Sequence, residues 1–269
     1  MSGLGPAKLL KDLGIRVKVD LPGVGRNLQD HYQMRSIVRM RDKKSLNNQI
    51  RNPLSLIKMG LDWAVRGNGP LTVGAGQVGG AARTVHAPTE WPDIQLFVMP
   101  LSVDKPGEPL HHFSGFTGVT WQCHPLSRGK IEINSPDPFD NPKIEPTYLS
   151  EELDQKTMIS AVKVIRKIYR QKQFRDLWDQ EIVPGDNVRS DDEILHAIRN
   201  VAGTVYHPVG TCKMGVDKDA VVSPSLKVYG VARLRVVDTS VMPLITSANT
   251  VAPTYMIAEK AADIILKDH

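Results

Sequence analysis

Tyr206-His207-Pro208-Val209-Gly210-Thr211-Cys212-Lys213-Met214-Gly215 is the stretch from which the rest of this chain is best read. Small and ring-constrained residues hold His207 on a backbone with few options. A histidine held this way can serve as a general base, because its ordinary pKa lies near working pH. The heptapeptide 206–212 also reads as a turn containing a structurally satisfied histidine. On these residues alone both readings stand.

Downstream, Leu234 to Val237 reads as a short strand that stops at Asp238. A carboxylate at the carboxyl end of a strand can accept hydrogen bonds from the hydroxyls of a nucleotide or sugar. It can equally cap a turn with Ser240. The polar residues 246–253 then lead into a last helix, with Ile257, Ala261, Ile264 and Ile265 on its buried face. Backbone N–H groups at such a helix start favour partial negative charge.

Upstream, Leu9, Leu10 and Leu13 close a short helix before Gly14, and residues 15–19 alternate like a strand. Leu54, Ile57, Leu61 and Val65 keep one helical face up to Gly67. Residues 94–99, 116–123 and 130–133 read as strands. Ser150 can cap a helix that carries Glu151, Glu152 and Asp154 in its first turn, with Met158, Val162, Ile165 and Tyr169 as its apolar stripe. Ser190 and Glu193 have capping-box spacing ahead of Ile194. Strands at the centre with helices on either side make this an α/β or α+β chain.

The whole composition agrees. The 269 residues are 41% hydrophobic and 23% charged, which excludes disordered, collagen-like and coiled-coil classes. No apolar run approaches the ~18–20 residues of a membrane span. The net charge of +5 is not gathered into a stripe; its densest cluster, residues 39–44, reads as a solvated loop, so no nucleic-acid partner is expected. Cys123 and Cys212 form no CxxC pair, and no second histidine stands near His207 at ligand spacing, so no metal is expected. Residues 23–28 read GxGxxL and lack the third glycine of a dinucleotide fingerprint; residues 74–79 match GxGxxG inside a loop. His111 and His112 fall in a Gly/Pro/Ser loop and are expected to face solvent, while His31 follows Asp30 and could be oriented by a nearby carboxylate.

Taken in order, these motifs resemble the glucose–methanol–choline (GMC) oxidoreductases, flavoenzymes that use FAD to oxidise alcohols, and within them the insect glucose-dehydrogenase-like branch. Ser2-Gly3-Leu4-Gly5 is similar to the tail of the family's second signature, and residues 21–31 (LPGVGRNLQDH) to the segment after it. Residues 69–72 and 125–129 fall in the expected order. Residues 206–215, 234–243 and 249–263 carry the strongest similarity.

The resemblance implies an α+β substrate domain with flanking helices. To it is joined the C-terminal return of a doubly wound FAD-binding domain whose N-terminal part is absent. The boundaries it suggests are residues 1–35 near the flavin, 36–205 for substrate, and 206–269 for the histidine loop and final strand and helix. It implies that His207 takes the hydroxyl proton while the substrate carbon delivers hydride to FAD. It places Asn27, Asp238, Thr239, Val251 and Ala252 at the cofactor, the last two along the pyrimidine edge where the reduced flavin carries negative charge. The partners implied are a small alcohol or sugar and an electron acceptor, oxygen or a quinone.

Two departures follow. Val251 fills the position where the family keeps an asparagine or histidine; Asn249 lies two residues earlier and takes no role from the resemblance. Val251→Asn is therefore expected to raise turnover, unless the substrate oxygen has another partner. The GxGxxG opening is also missing, which makes the chain a fragment or a truncated product. In that case the last strand and helix expose apolar faces that favour aggregation or partner binding. The alternative function is a non-catalytic binding or structural remnant. Any targeting segment would lie on the missing part, which leaves location open and includes an extracellular one.

Overall fold

The computed structural model describes residues 1–41, 45–72, 74, 76–105, 107–174 and 176–268. Residues 42–44 of the basic cluster, and Ala75 of the GxGxxG stretch, lie outside the described residues. The chain divides into two compact units, each made from separate stretches of sequence.

One unit holds Tyr32–Gln122 and Gln155–Gly203. Its centre is an antiparallel sheet in the order Val78–Ala82, Ile94–Met99, Gly115–Gln122, Tyr32–Met40 and Trp178–Val183. Every residue of Gly115–Gln122 is buried, because strands flank it and the helix Glu152–Tyr169 packs on the sheet. The expected apolar stripe is the reason: Met158, Val162, Ile165 and Tyr169 are all buried, and Ile165 and Tyr169 join Val38, Ile94, Leu96 and Phe116 in one core. Gly118 makes that approach possible, since a Cβ there would lie 1.3 Å from the Tyr169 hydroxyl. The Ser190–Glu193 capping box forms as the spacing predicts.

The helix Pro53–Arg66 ends at Gly67 as expected, with Gly67 in the left-handed region. Its apolar face, however, points outward: Leu54, Ile57, Leu61 and Val65 are 77%, 60%, 59% and 78% exposed, and Met59 on the opposite side is the buried residue. His111 also departs from expectation. It is half-buried, pairs with Asp104 at 3.2 Å and stacks on Phe113, while His112 is exposed.

The other unit gathers Met1–His31, Cys123–Asp154 and Thr204–His269. The sequence boundaries keep 36–205 together, whereas here residues 123–154 join the terminal segments. Backbone bonds explain this. Leu28 pairs with Gly129, Ile131 N–H donates to the Gly25 carbonyl, and Gly25 N–H donates to the Thr211 carbonyl. The GxGxxL run is thus a turn whose backbone is spent inside the fold. Asp154 is buried and accepts from Leu126 N–H, Ser127 N–H and the Ser127 hydroxyl, pinning the residues after Pro125.

Leu21, Val221, Val222, Leu226, Val228, Val241 and Ala261 form the core of this unit. Ala261 lies on the final helix, Val251–Lys267, whose Ile257, Ile264 and Ile265 are partly buried. Two expected strands shorten. Ile15 N–H bonds the Leu10 carbonyl at the end of the helix Ala7–Asp12, so only Val19–Asp20 pairs, in parallel with Leu4–Gly5. Residues 234–237 keep one bridge among the described residues, Lys227 to Arg235, made by Val228 N–H to the Leu234 carbonyl and Val236 N–H to the Leu226 carbonyl.

Candidate active site

The site lies wholly in this second unit, and its backbone is fixed before its side chains. Gln29 pairs with Val209 in an antiparallel bridge, which sets residues 27–31 beside the histidine loop. Gly210 has φ +95°, and a Cβ there would meet the Asn27 carbonyl oxygen at 2.4 Å. The Asn27 amide donates to the carbonyls of Gly210 and Pro243 at 3.3 and 3.2 Å. Tyr206 takes the left-handed region at φ +63° with its ring exposed. That turn aims the His207 N–H at Asp30, which accepts it at 3.0 Å and takes the Tyr148 hydroxyl on its other oxygen at 2.5 Å.

On this frame His207, 6% exposed, meets two partners. Its Nδ1 lies 2.9 Å from Nδ1 of His31, with the rings edge-on at 85°. Its Nε2 accepts the Asn249 side-chain amide at 3.2 Å. His31 is fully buried, and its Nε2 donates to the Cys123 carbonyl at 2.9 Å. The Asp30 carboxylate accepts from the His207 backbone and Tyr148, and it reaches His31 through its charge. Nearby, the Ser247 hydroxyl and His124 Nε2 are 2.8 Å apart.

Burial governs the charges. It pushes His31 down to about 4, against the opposing pull of the Cys123 carbonyl. It also lowers His207, with Asp30 opposing. Both rings are therefore neutral near pH 7. The unfolded chain protonates His31 near 6.5 and the folded chain only near 4, so stability falls as pH drops through that interval. The loss reaches about 3 kcal/mol at its lower end. Denaturant titrations at pH 7 and 4.5 are expected to show it, and a His31→Gln variant should lose that component of the pH slope.

The remaining residues named from the sequence lie in the same unit. Asp238 is exposed and accepts Ser240 N–H at 2.7 Å, so it does cap the turn Thr239–Val241. The Thr239 hydroxyl donates to the Pro208 carbonyl at 3.1 Å. Val251, 63% exposed, and Ala252 open the final helix, and the Thr250 side chain does not cap their turn. The sequence reading missed Asn249 as a partner of His207, and it missed the His31 contact. Asp30-His31 inside residues 21–31 was the available signal. A backbone carbonyl such as that of Cys123 leaves none.

Comparison with known proteins gives this geometry its context. Residues 125–258 match the GMC oxidoreductase family. An alcohol dehydrogenase [acceptor] from Pseudomonas putida is 40% identical over 271 residues, covering 99% of this chain and 48% of that protein. An oxygen-dependent choline dehydrogenase from Burkholderia pseudomallei is 38% identical over 269 residues, covering 99% and 47%. A formate oxidase from Aspergillus oryzae, whose structure concerns modification of its FAD, superposes with a TM-score of 0.92 at 26% identity, over 100% of this chain and 51% of that one. The chain spans about half the length of the relatives it matches. These relatives are bacterial dehydrogenases and a fungal oxidase, and none places the chain in the insect branch. Residues 125–258, which contain the histidine loop, belong to the GMC oxidoreductase family through its C-terminal domain, and the mixed α/β fold is the one that domain has in the formate oxidase.

Proposed function

We propose that this chain forms the substrate-side and C-terminal part of an FAD-dependent oxidoreductase acting on the CH–OH group of an alcohol or sugar, with His207 as general base. One observation carries the reading. His207 presents an accepting Nε2 beside a donating amide, within a loop that backbone bonds and Asp30 hold in place. When a substrate hydroxyl takes the place of the Asn249 amide at Nε2, Nε2 takes its proton, and the displaced amide N–H turns to the oxygen as charge grows on it. An alkoxide expels hydride far more readily than an alcohol does. FAD, when bound, accepts that hydride.

The donor set fits such a group. Val251 and Ala252 offer N–H groups in an exposed first turn that Thr250 leaves without a side-chain cap, as the negative pyrimidine edge of a flavin requires. Asp238 keeps one carboxylate oxygen for a ribityl or ribose hydroxyl. Thr239 and Asn27 serve by bracing the backbone around it.

Asn249 supplies the amide that Val251 does not. In the flavin-loaded protein, Asn249→Ala is therefore expected to slow alcohol-driven flavin reduction by about 10²-fold, comparable to losing one oxyanion donor. Val251→Asn should change it by less than about threefold, on the same scale. Anaerobic stopped-flow absorbance measures both. A large gain in Val251→Asn with no loss in Asn249→Ala would return the role to the position of Val251.

A further inference from the structure

We infer that His31 is a positioning residue that fixes the proton of His207 on Nδ1, so that Nε2 is the basic atom. The inference rests on the reading of His207 as base, but the argument for it is independent. It begins at the Cys123 carbonyl, which can only accept. Because His31 Nε2 is 2.9 Å from that oxygen, Nε2 must carry a proton. A neutral imidazole has one N–H, so His31 Nδ1 is an acceptor. Its neighbour at 2.9 Å, His207 Nδ1, must then be the donor. His207 is neutral too, so its Nε2 keeps the lone pair.

Asn249 agrees with this assignment but cannot impose it. Rotation of its amide by half a turn would offer oxygen instead of nitrogen. The carbonyl of Cys123 has no such freedom, and His31 is buried on all sides. The direction of the proton at His207 is thus set two hydrogen bonds away, by a backbone group. Without His31, the His207 ring would be free to carry its proton on Nε2, facing the substrate hydroxyl with a donor instead of an acceptor. A buried dyad partner serves the same end in the serine-protease triad, where the wrong tautomer costs about 10⁴ in rate.

The experiment uses ¹⁵N-histidine-labelled chain at pH 7 and long-range ¹H–¹⁵N correlation, which separates protonated from bare ring nitrogens. The expected spectrum shows His207 with Nδ1 protonated and Nε2 bare, and His31 the reverse. In His31→Phe, which can neither donate nor accept, His207 should shift to a mixture dominated by Nε2–H. In His31→Gln, whose amide can donate to the Cys123 carbonyl and accept from His207, the Nδ1–H form should return. A His207 tautomer unchanged in His31→Phe overturns the inference, and so does an Nε2–H form in the parent chain. Should His31→Phe fail to fold, the parent and glutamine spectra still decide it.

Activity of the flavin-loaded protein separates the two readings. A switched tautomer with turnover slowed by about 10²-fold or more, at little change in KM, supports both. A switched tautomer with turnover retained leaves the positioning intact and removes His207 from the role of base.

Discussion

His207→Ala is expected to slow alcohol-driven flavin reduction by about 10³–10⁴-fold, while the variant stays folded. The rate loss follows from general-base catalysis, which contributes about 10²–10⁴-fold when the base is positioned beforehand, as His207 is here. Retention of the fold follows from where the loop is held. Asp30 takes the backbone N–H of residue 207, and the bridge between Gln29 and Val209 does not involve the ring. Alanine therefore removes the base and leaves its cradle. The pH profile adds an independent check. Burial holds His207 below the usual histidine value, so kcat/KM should rise with pH along an acid limb centred below 6.5 and then level off. His207→Ala should lose that limb. A loss of less than tenfold, or an unchanged limb, would mean that another group takes the proton.

The second large effect lies in the sheet-bearing unit and concerns stability alone. Arg166, on the helix Glu152–Tyr169, donates to both Glu181 oxygens, closest at 2.8 Å, and to the carbonyls of Val188 and Gly185. The side chains are only 11% and 3% exposed. Removing one partner leaves the other charge buried and unpaired, so Glu181→Ala is expected to cost about 3–5 kcal/mol. In a unit of this size that lowers the unfolding midpoint by about 10 °C or more.

Burial nevertheless works against the charged form of Glu181 in this pair. Desolvation outweighs Arg166 and raises Glu181 from its ordinary value. Folding therefore favours protonated Glu181, and stability falls as pH rises through that raised value. A double replacement, Arg166→Met with Glu181→Leu, should accordingly lose far less than Glu181→Ala. Calorimetry on the three proteins tests this, and a double variant as damaged as the single one would show that the guanidinium's carbonyl contacts dominate.

The parts of this molecule that periodicity could reach were legible. The stripe from Met158 to Tyr169 and the Ser190–Glu193 box follow from spacing, because burial and capping act over three or four residues. Residues 234–237 were not legible as they stand. Their composition is that of a strand, but a strand needs a neighbour, and neighbours are set by the fold. Leu54, Ile57, Leu61 and Val65 show the converse, since a helical pattern marks a face without saying which way it turns. At the candidate site, the setting of His207 left two readings standing, and it was the family resemblance that singled the residue out. Asn249 was not legible, because alignment ranks positions along the chain while the amide reaches His207 through space.

The hydrogen bond between His31 and His207 joins residues 176 apart, and that between His31 and Cys123 joins residues 92 apart. Closing a loop of the larger length costs about 4–5 kcal/mol of chain entropy before any contact repays it. The pair therefore cannot form early through local structure; it must wait until the three segments of its unit have come together. In refolding, the ring signals of these two histidines should reach their native positions with the slowest phase, after the helix Val251–Lys267 has formed. The proton on His207 would then report completed folding as well as chemistry.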